Sequence, residues 1–488
     1  MCPSSGPGAF LSWVMQPKLN RLLRALAREG LEVAYDGRLY SVRLLGDAHA
    51  PPAEVLLPPD LPVEGKAFQQ LAQLAALRHP GGGEVLRVRA TPDFHPGDSG
   101  VAIGSVLHTR GLVVPGAIGT DINCGMRLHV ADISVEDFLA KRSAFVERMK
   151  GHYFFGTRDV TMASRASEAL LRDGVQGWLL ETLEQPLGCA GRADLAQLDA
   201  EVSRIHLGGG LKGHPRWAPE SFTREGLVRD AGLATIGGGN HFVEVQRVEA
   251  VEDRARAWDW GVREGQLAFM IHSGSRDVGK HVGVAWQDRA RQAWPAGTPL
   301  PASGILPLGD ARLVTEYLEA EATAANYAFL NRLLLAELLR QTLRELFGDV
   351  EAPLVYDVPH NLTLPYEGGW LARKGACPAG AEQPVIIPGS MGATSFLMVG
   401  CGDARALESA SHGAGRARSR FSLSRGGADQ SEAALGLTGV DCITLRAERR
   451  VEEAPAAYKP IRPVVDAQVE AGIVREVARL SPLLTFKA

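Results

Sequence analysis

At 488 residues the chain is long for one domain, and with 45% apolar content it can bury a sizeable core. A formal net charge of −4 excludes a global basic field for nucleic acid, so any such contact must come from a local patch. Six cysteines (Cys2, Cys124, Cys189, Cys377, Cys401, Cys442) exclude a dense disulfide framework and fit buried or metal-binding thiols in a reducing cytoplasm, and no apolar run is long enough for a membrane.

The Ala9–Met15 run is short and lacks a basic lead-in, so no signal peptide is expected. Lys18 to Gly30 reads as an amphipathic helix, with Leu19, Leu22, Leu23, Leu26 and Ala27 on one face. Leu39–Leu45 and Val55–Leu57 read as strands. From Val85 to Val130, β-branched runs alternate with glycine, which predicts strands at Val85–Arg89, Gly100–Val106, Ala117–Asp121 and Arg127–Ala131. Val135–Lys150 and Ser164–Leu187 read as helices, and Gly208–Trp217 as a loop broken by Gly and Pro. Strands are expected at Phe242–Val248 and Leu267–His272. The longest helical pattern, Ala311–Leu346, stops at Gly348. Pro353–Val358, Pro384–Ile387 and Ser395–Val399 read as strands, and Val464–Leu480 as a last helix before the tail Ser481–Ala488. With no solenoid period and no low-complexity linker, one compact α+β body is expected, with Gly208–Trp217 and Leu407–Ala434 as its mobile parts.

Several polar residues open or close apolar runs, where strand ends would present them to a shared floor. They are Asp121 and Cys124 in Gly119–Met126, His241 after a triple glycine, His272 in Met270–Arg276, His360 after Pro359, and His412 before Gly413. A carboxylate, a thiolate and several imidazoles together suit a divalent transition metal. Each alone is commonplace: a single histidine is usually structural, and an Asp in a turn usually caps backbone N–H groups. His49, His79, His108, His129, His152, His206, His214 and His281 lack the strand-end context and are read as structural.

Gly237–Asn240, Pro388–Gly392 and Gly413–Gly415 are glycine-rich elements that could bring backbone N–H groups close to phosphate; none is a Walker A loop or a Rossmann turn. His412 is followed by Arg416, Arg418 and Arg420, whose forks suit phosphate, although the same residues could form a solvated basic loop. A neutral imidazole is a competent nucleophile toward activated phosphorus.

Taken in order, the quoted segments resemble the RtcB RNA ligase family. They are Pro92–His95 with its glycine tail, Asp121–Gly125, Asn240–Phe242, His272–Arg276, His360–Asn361, Arg373–Ala376, Pro388–Gly392 and Ser411–Arg416. Any one is a weak pattern; eight in the family's order are not a coincidence. The resemblance runs from about Thr91 to the C-terminus. It implies an α+β catalytic domain over residues 81–488, β-rich around a central metal cleft, with residues 1–80 as a helix and strand region packed on it. It further implies two Mn(II) ions, Cys124 bridging both, with His272 and His360 completing one site and Asp121 and His241 the other. His412 would take GMP from GTP. The nucleotide would be surrounded by Asn240, His241, Phe242, Val243, Glu244, His360, Asn361, Pro388, Gly389, Ser390, Met391, Ser395, Gly413, Ala414 and Gly415, with Tyr458 and Lys487 at the base. Asp93 and His95 would act at the RNA terminus.

The activity so implied joins RNA 2′,3′-cyclic phosphate or 3′-phosphate ends to 5′-hydroxyl ends, in tRNA splicing or RNA repair, with an archease-like activator as a further expected partner. Three departures stand out. The His95 motif is one residue longer than the usual pattern, Ala372 stands where many members have histidine, and Arg418 replaces a methionine. They bear on 3′-end preference and ligation efficiency. A metal-dependent phosphoesterase and a non-ligating RNA-end-binding paralogue are the competing readings.

Overall fold

The computed structural model describes residues 19–58, 61–418 and 431–488. The Ala9–Met15 run, Lys18, Cys2, Arg420 and most of the segment after Arg418 lie outside the described residues. Two sheets organise the rest. The first has seven strands in the order Leu31–Tyr35, Leu39–Leu44, Ala53–Leu56, Glu84–His95, Ile103–Arg110, Gly369–Lys374 and Asn361–Tyr366. The second runs Leu354–Pro359, Gly125–Ser134, Gln266–Ser273, Phe242–Val251, Val474–Lys487, Ser395–Gly400 and Pro384–Ile387, with Asp441–Thr444 pairing in parallel beside Val474–Lys487. The three strands before residue 60 belong to the first sheet, and the helix Gly65–Ala75 packs on it through Phe68, Leu71 and Ala72.

The second sheet is covered on both faces, which is why Gln266–Ser273 and Ser395–Gly400 read as near-continuous hydrophobic runs. Leu267, Phe269 and Ile271 of one strand enter one core, while Ala268 and Met270 enter the other. A helical layer covers the first of these faces. Its centre is the helix Ala311–Phe347, 37 residues long, capped by the Asp310 side chain and ended by Gly348 at φ 82°. Ser164–Glu184, broken at Gly174, and Arg276–Ala293 pack against it. No described helix is long and apolar enough to cross a membrane.

Three expectations are corrected. Val464–Leu480 is not one helix: a helix spans Ile461–Glu470, the chain turns at Gly472 (φ 74°), and Val474–Lys487 is a long strand inside the second sheet. Its pairing with Ser395–Gly400 skips Val477, between Glu476 and Ala478, which breaks the two-residue period, so Val474, Val477 and Ala478 locally mimic helical spacing; pairing with two distant strands decides the outcome. Ala117–Asp121 is a helical turn over Pro115–Ile118 followed by a turn, because Pro115 starts a helix well and Gly119 (φ 78°) stops it. Gly208–Trp217 is tied down. Leu211 N–H donates to Asn326 Oδ1 at 2.8 Å, Asn326 Nδ2 donates to Leu211 O at 2.8 Å, and His214 N–H donates to Thr323 Oγ1 at 2.9 Å.

Candidate metal and nucleotide site

Four neighbouring strands of the second sheet deliver the predicted ligands to one rim. Because these strands are antiparallel, the start of one lies beside the end of the next. Cys124 precedes Gly125–Ser134, His272 closes Gln266–Ser273, His241 precedes Phe242–Val251, and His360 follows Leu354–Pro359. The register pairs Ser273 and Pro359 with Gly125, and His272 with Phe242. Asp121 joins from the turn before Cys124, where Asn123 adopts φ 51°.

The donor atoms converge. Cys124 Sγ lies 3.1 Å from both His241 Nε2 and His272 Nε2; His241 Nε2 is 3.1 Å from Asp121 Oδ2, and His272 Nε2 is 3.3 Å from His360 Nε2. Two groups with metal-ligand spacing result, Cys124–His272–His360 and Asp121–Cys124–His241, sharing the thiol. The far nitrogens explain the orientation. His241 Nδ1 donates to Ile236 O (3.1 Å) and His272 Nδ1 to Asn240 O (3.2 Å), so each Nε2 lone pair faces inward. Burial, reinforced by neighbouring imidazoles, holds His272 and His360 well below the usual histidine range, so both are neutral and ligand-competent. Burial opposes ionisation of Asp121, but His241 beside it wins and keeps the carboxylate charged. Burial and Asp121 push the Cys124 thiol up, an effect that a divalent cation reverses. Inward lone pairs crowded at 3.1–3.3 Å repel one another unless a proton or a cation lies between them, so the donor set suits borderline transition metals.

His412 is in neither group. It follows the short strand Ser409–Ser411, and its ring centroid lies 4.8 Å from that of His360. Its Nδ1 donates to Asp93 Oδ2 at 2.7 Å, and Thr91 Oγ1 donates to Asp93 Oδ1 at 2.5 Å. Burial would raise the Asp93 pKa, yet the bonds from His412 and Thr91 hold it below the usual carboxylate value. Lys459 Nζ clamps the carbonyls on either side of Asp93, at 3.1 Å to Pro92 and 2.6 Å to Phe94. Gly415 packs so tightly on this strand that an added Cβ would lie 2.0 Å from Asp93 O. The orienting role of Asp93 was missed in the sequence, where it was grouped with His95. The signal available was a carboxylate inside a strand, between buried Ala90 and Phe94, which requires a donor partner.

A cavity of about 580 Å³ opens above this floor. Of the predicted nucleotide residues, Asn240, Phe242, Glu244, His360, Asn361, Pro388–Met391, His412–Gly415, Tyr458 and Lys487 line it, as does His95. Three predicted residues stand off its wall, the first being His241, whose Nε2 is turned to Cys124 and Asp121. Val243 points into the core between sheet and helices, because alternation along the strand turns it away from Phe242 and Glu244. Ser395 Oγ accepts from Gln246 Nε2 and Gly389 N–H, both at 3.0 Å, and so holds the Pro388–Gly392 turn from behind. Asn361 is a brace: its amide donates to Asp121 O (3.0 Å) and accepts from Gly375 N–H (2.8 Å). Ala372 is buried in the core and does not line the cavity. Arg416 is committed to Glu453 (3.1 Å) and stacks over Tyr458, whereas Arg418 is exposed at the cavity mouth, with Lys66 and Asp98 also lining it.

Also lining the cavity, Glu244 accepts from Gln246 Nε2 (2.6 Å) and Thr485 Oγ1 (2.5 Å), and burial raises its pKa to about 7. Lys487 lies over the Phe242 ring, with Nζ 5.8 Å from the centroid and 3.6 Å from Glu453.

A family model described as tRNA-splicing ligase RtcB matches residues 70–488. The tRNA-splicing ligase RtcB of Pyrobaculum aerophilum is 32% identical over 435 residues, covering 81% of this chain and 86% of that protein. The RNA-splicing ligase RtcB of Mycobacterium tuberculosis is 33% identical over 431 residues, covering 81% and 95%. The tRNA-splicing ligase RtcB of Archaeoglobus fulgidus is 32% identical over 467 residues, covering 86% and 91%.

Proposed function

Because this chain belongs to the RtcB family of RNA ligases, we propose that it joins RNA 3′-phosphate or 2′,3′-cyclic phosphate ends to 5′-hydroxyl ends through GMP carried on His412. The observation that supports this most is the Asp93–His412 pair beside a cluster of metal-ligand character that it does not join. Two divalent manganese ions would be held by the two groups sharing Cys124, and would supply charge neutralisation and polarisation of the α-phosphorus of GTP.

His412 is poised to attack with Nε2, since Nδ1–H is committed to Asp93. As the N–P bond forms and the bond to pyrophosphate breaks, the ring gains positive charge, which the buried Asp93 carboxylate offsets. The RNA 3′-phosphate then takes GMP from His412. The 5′-hydroxyl attacks the activated 3′-phosphate and GMP leaves; a cyclic end must first be opened by water. A phosphoesterase would use the ligand cluster but has no need of a histidine oriented by Asp93 and kept out of both groups. Incubation with Mn(II) and GTP labelled at the α-phosphate tests the reading: an acid-labile, base-stable label on the protein is expected. RNA dephosphorylation without label would favour the phosphoesterase, and neither activity would favour an end-binding paralogue.

Guanine suits the part of the cavity lined by Glu244 and Lys487. Its N1–H and N2–H₂ donors match Glu244, its O6 acceptor matches Lys487, and Phe242 and Tyr458 offer ring faces; adenine presents no such donor pair. Glu244→Gln is expected to weaken GTP binding about 10- to 100-fold, the loss of charge-assisted hydrogen bonds. The sign of the pH dependence follows. The carboxylate offers two charged acceptor oxygens to the donor pair, whereas the carboxyl turns one of them into a donor, so nucleotide binding releases a proton and affinity falls as pH drops below about 7. Titration calorimetry from pH 5.5 to 8.5 should show this slope in the native protein and its absence in Glu244→Gln.

The basic surface expected from Arg416, Arg418 and Arg420 is narrower than the sequence suggests, because Arg416 is neutralised by Glu453. Arg418 at the mouth remains to meet RNA phosphate. Arg418→Ala should weaken RNA binding several-fold and reduce the slope of log affinity against log salt by about 0.7–0.9. An unchanged slope would place the RNA elsewhere.

A further inference from the structure

One guanidinium beneath the candidate metal floor touches the backbone or the strand of three ligands at once. Arg332, in the middle of Ala311–Phe347, is completely buried. Its Nη1 donates to Asn123 O at 2.7 Å, the carbonyl just before Cys124, and to Ser273 O at 3.0 Å, the carbonyl just after His272. Its Nε and Nη2 donate to Asp357, at 3.0 and 2.8 Å to Oδ1, in the strand that delivers His360 three residues later. A Cβ on Gly125 would lie 2.6 Å from Val358 O and 2.9 Å from Arg332 Cζ, so glycine after Cys124 leaves room for both the neighbouring strand and the guanidinium. The neighbouring Asn331 adds bonds to Ser273 Oγ (2.9 Å) and Gly274 O (3.0 Å).

From this geometry we infer that Arg332 is a positioning residue for the Cys124–His272–His360 group, setting the spacing of its three ligands through one rigid fork. The inference rests on the metal reading above. A fully buried charge is a poor way to stabilise a helix–sheet contact, since such pairs are often replaced by apolar residues without loss. A planar fork with five fixed donors is, however, suited to holding separate carbonyls and a carboxylate in register. The second group is not clamped in the same way: His241 is oriented by Ile236 O, and Asp121 by the Asn361 brace on its carbonyl. Arg332 should therefore matter more to one ion than to the other.

The same helix supplies an internal control. Arg340 is also buried, pairing with Glu201 at 2.6 Å and donating to Ala352 O at 3.0 Å, but it touches no ligand-bearing turn. The experiment compares native protein, Arg332→Lys, Arg332→Met/Asp357→Asn and Arg340→Lys by thermal melting without metal and by Mn(II) titration followed calorimetrically and by electron paramagnetic resonance. Native protein should take up two ions with the broadened signal of a coupled pair. Arg332→Lys should melt no lower than Arg340→Lys, yet bind one of the two ions about 10- to 100-fold more weakly, the usual cost of losing an outer partner of a ligand. The coupled signal should give way to that of an isolated ion. The double variant removes Arg332 and its carboxylate together, while Arg127, which also meets Asp357 at 3.3 Å, keeps Glu201 at 3.7 Å; it keeps the test available should the lysine variant not fold. Two-ion binding at native affinity in a folded Arg332 variant, or an equal loss in Arg340→Lys, would overturn the clamp. Native protein that takes up no Mn(II) would instead overturn the metal reading, and the clamp with it.

Discussion

Replacing His412 by alanine is expected to eliminate the protein–GMP adduct while leaving metal uptake intact. Both halves follow from the geometry. His241 and His272 spend Nδ1 on backbone carbonyls, and with His360 they turn Nε2 toward the shared thiol cluster. A lone pair committed to a cation cannot attack phosphorus, so none of the three can substitute for His412. His412 belongs to neither ligand group, so its removal costs no metal ligand. The variant should fail on RNA ending in a free 3′-phosphate. It should still join RNA supplied with a guanylylated 3′-phosphate, because that substrate bypasses the covalent step. Asp93→Asn is the graded companion. An amide can hold the ring but does not offset its developing charge, and it permits the wrong tautomer, so adduct formation should slow roughly 10²- to 10⁴-fold. Mass spectrometry of the protein after GTP and Mn(II), followed by ligation of both substrates, measures each part. An adduct persisting in His412→Ala would remove the histidine from the reaction.

Cys124→Ala should have the next largest effect, on the ions themselves. The thiol is the one donor common to both groups, so its loss weakens two sites together. Elemental analysis after Mn(II) loading should fall from two ions per chain to less than one, with ligation undetectable. The fold should survive. Cys124 is buried without a disulfide, and trading a thiol for a methyl costs on the order of 1 kcal/mol. What should vanish is the metal-induced rise in melting temperature, which in the native protein corresponds to about 2.7 kcal/mol at a metal concentration a hundred times Kd. Full stoichiometry in the variant would take Cys124 out of the site.

Patterns carried by local chemistry were legible without coordinates. The helix Ala311–Phe347 announces itself by periodicity and a glycine stop. The strand Phe242–Val251 shows by its recurring β-branched residues, and Gln266–Ser273 and Pro384–Ile387 show as short apolar runs. The ligand-bearing residues stand at the ends of such runs, where side chains leave the core, and their order along the chain identifies the family. Other elements were not legible. The segments Asn361–Tyr366 and Gly369–Lys374 carry mixed polar and apolar residues and become strands by pairing with each other and with Ile103–Arg110. Val474–Lys487 imitates a helix until bulges and two distant partners fix it as a strand. The partnership of Asp93 with His412, 319 positions apart, and the bridging of three ligand strands by Arg332 leave no local trace. Sequence alone thus determined which residue types could do the chemistry and which elements would present them. Only the tertiary structure decided which nitrogen of each histidine faces inward, which carboxylate orients His412, and which arginine meets a carboxylate. Each of those depends on a hydrogen bond between groups far apart in the chain, whose strength comes from burial, and burial exists only once the two sheets and their helical layer have closed around them.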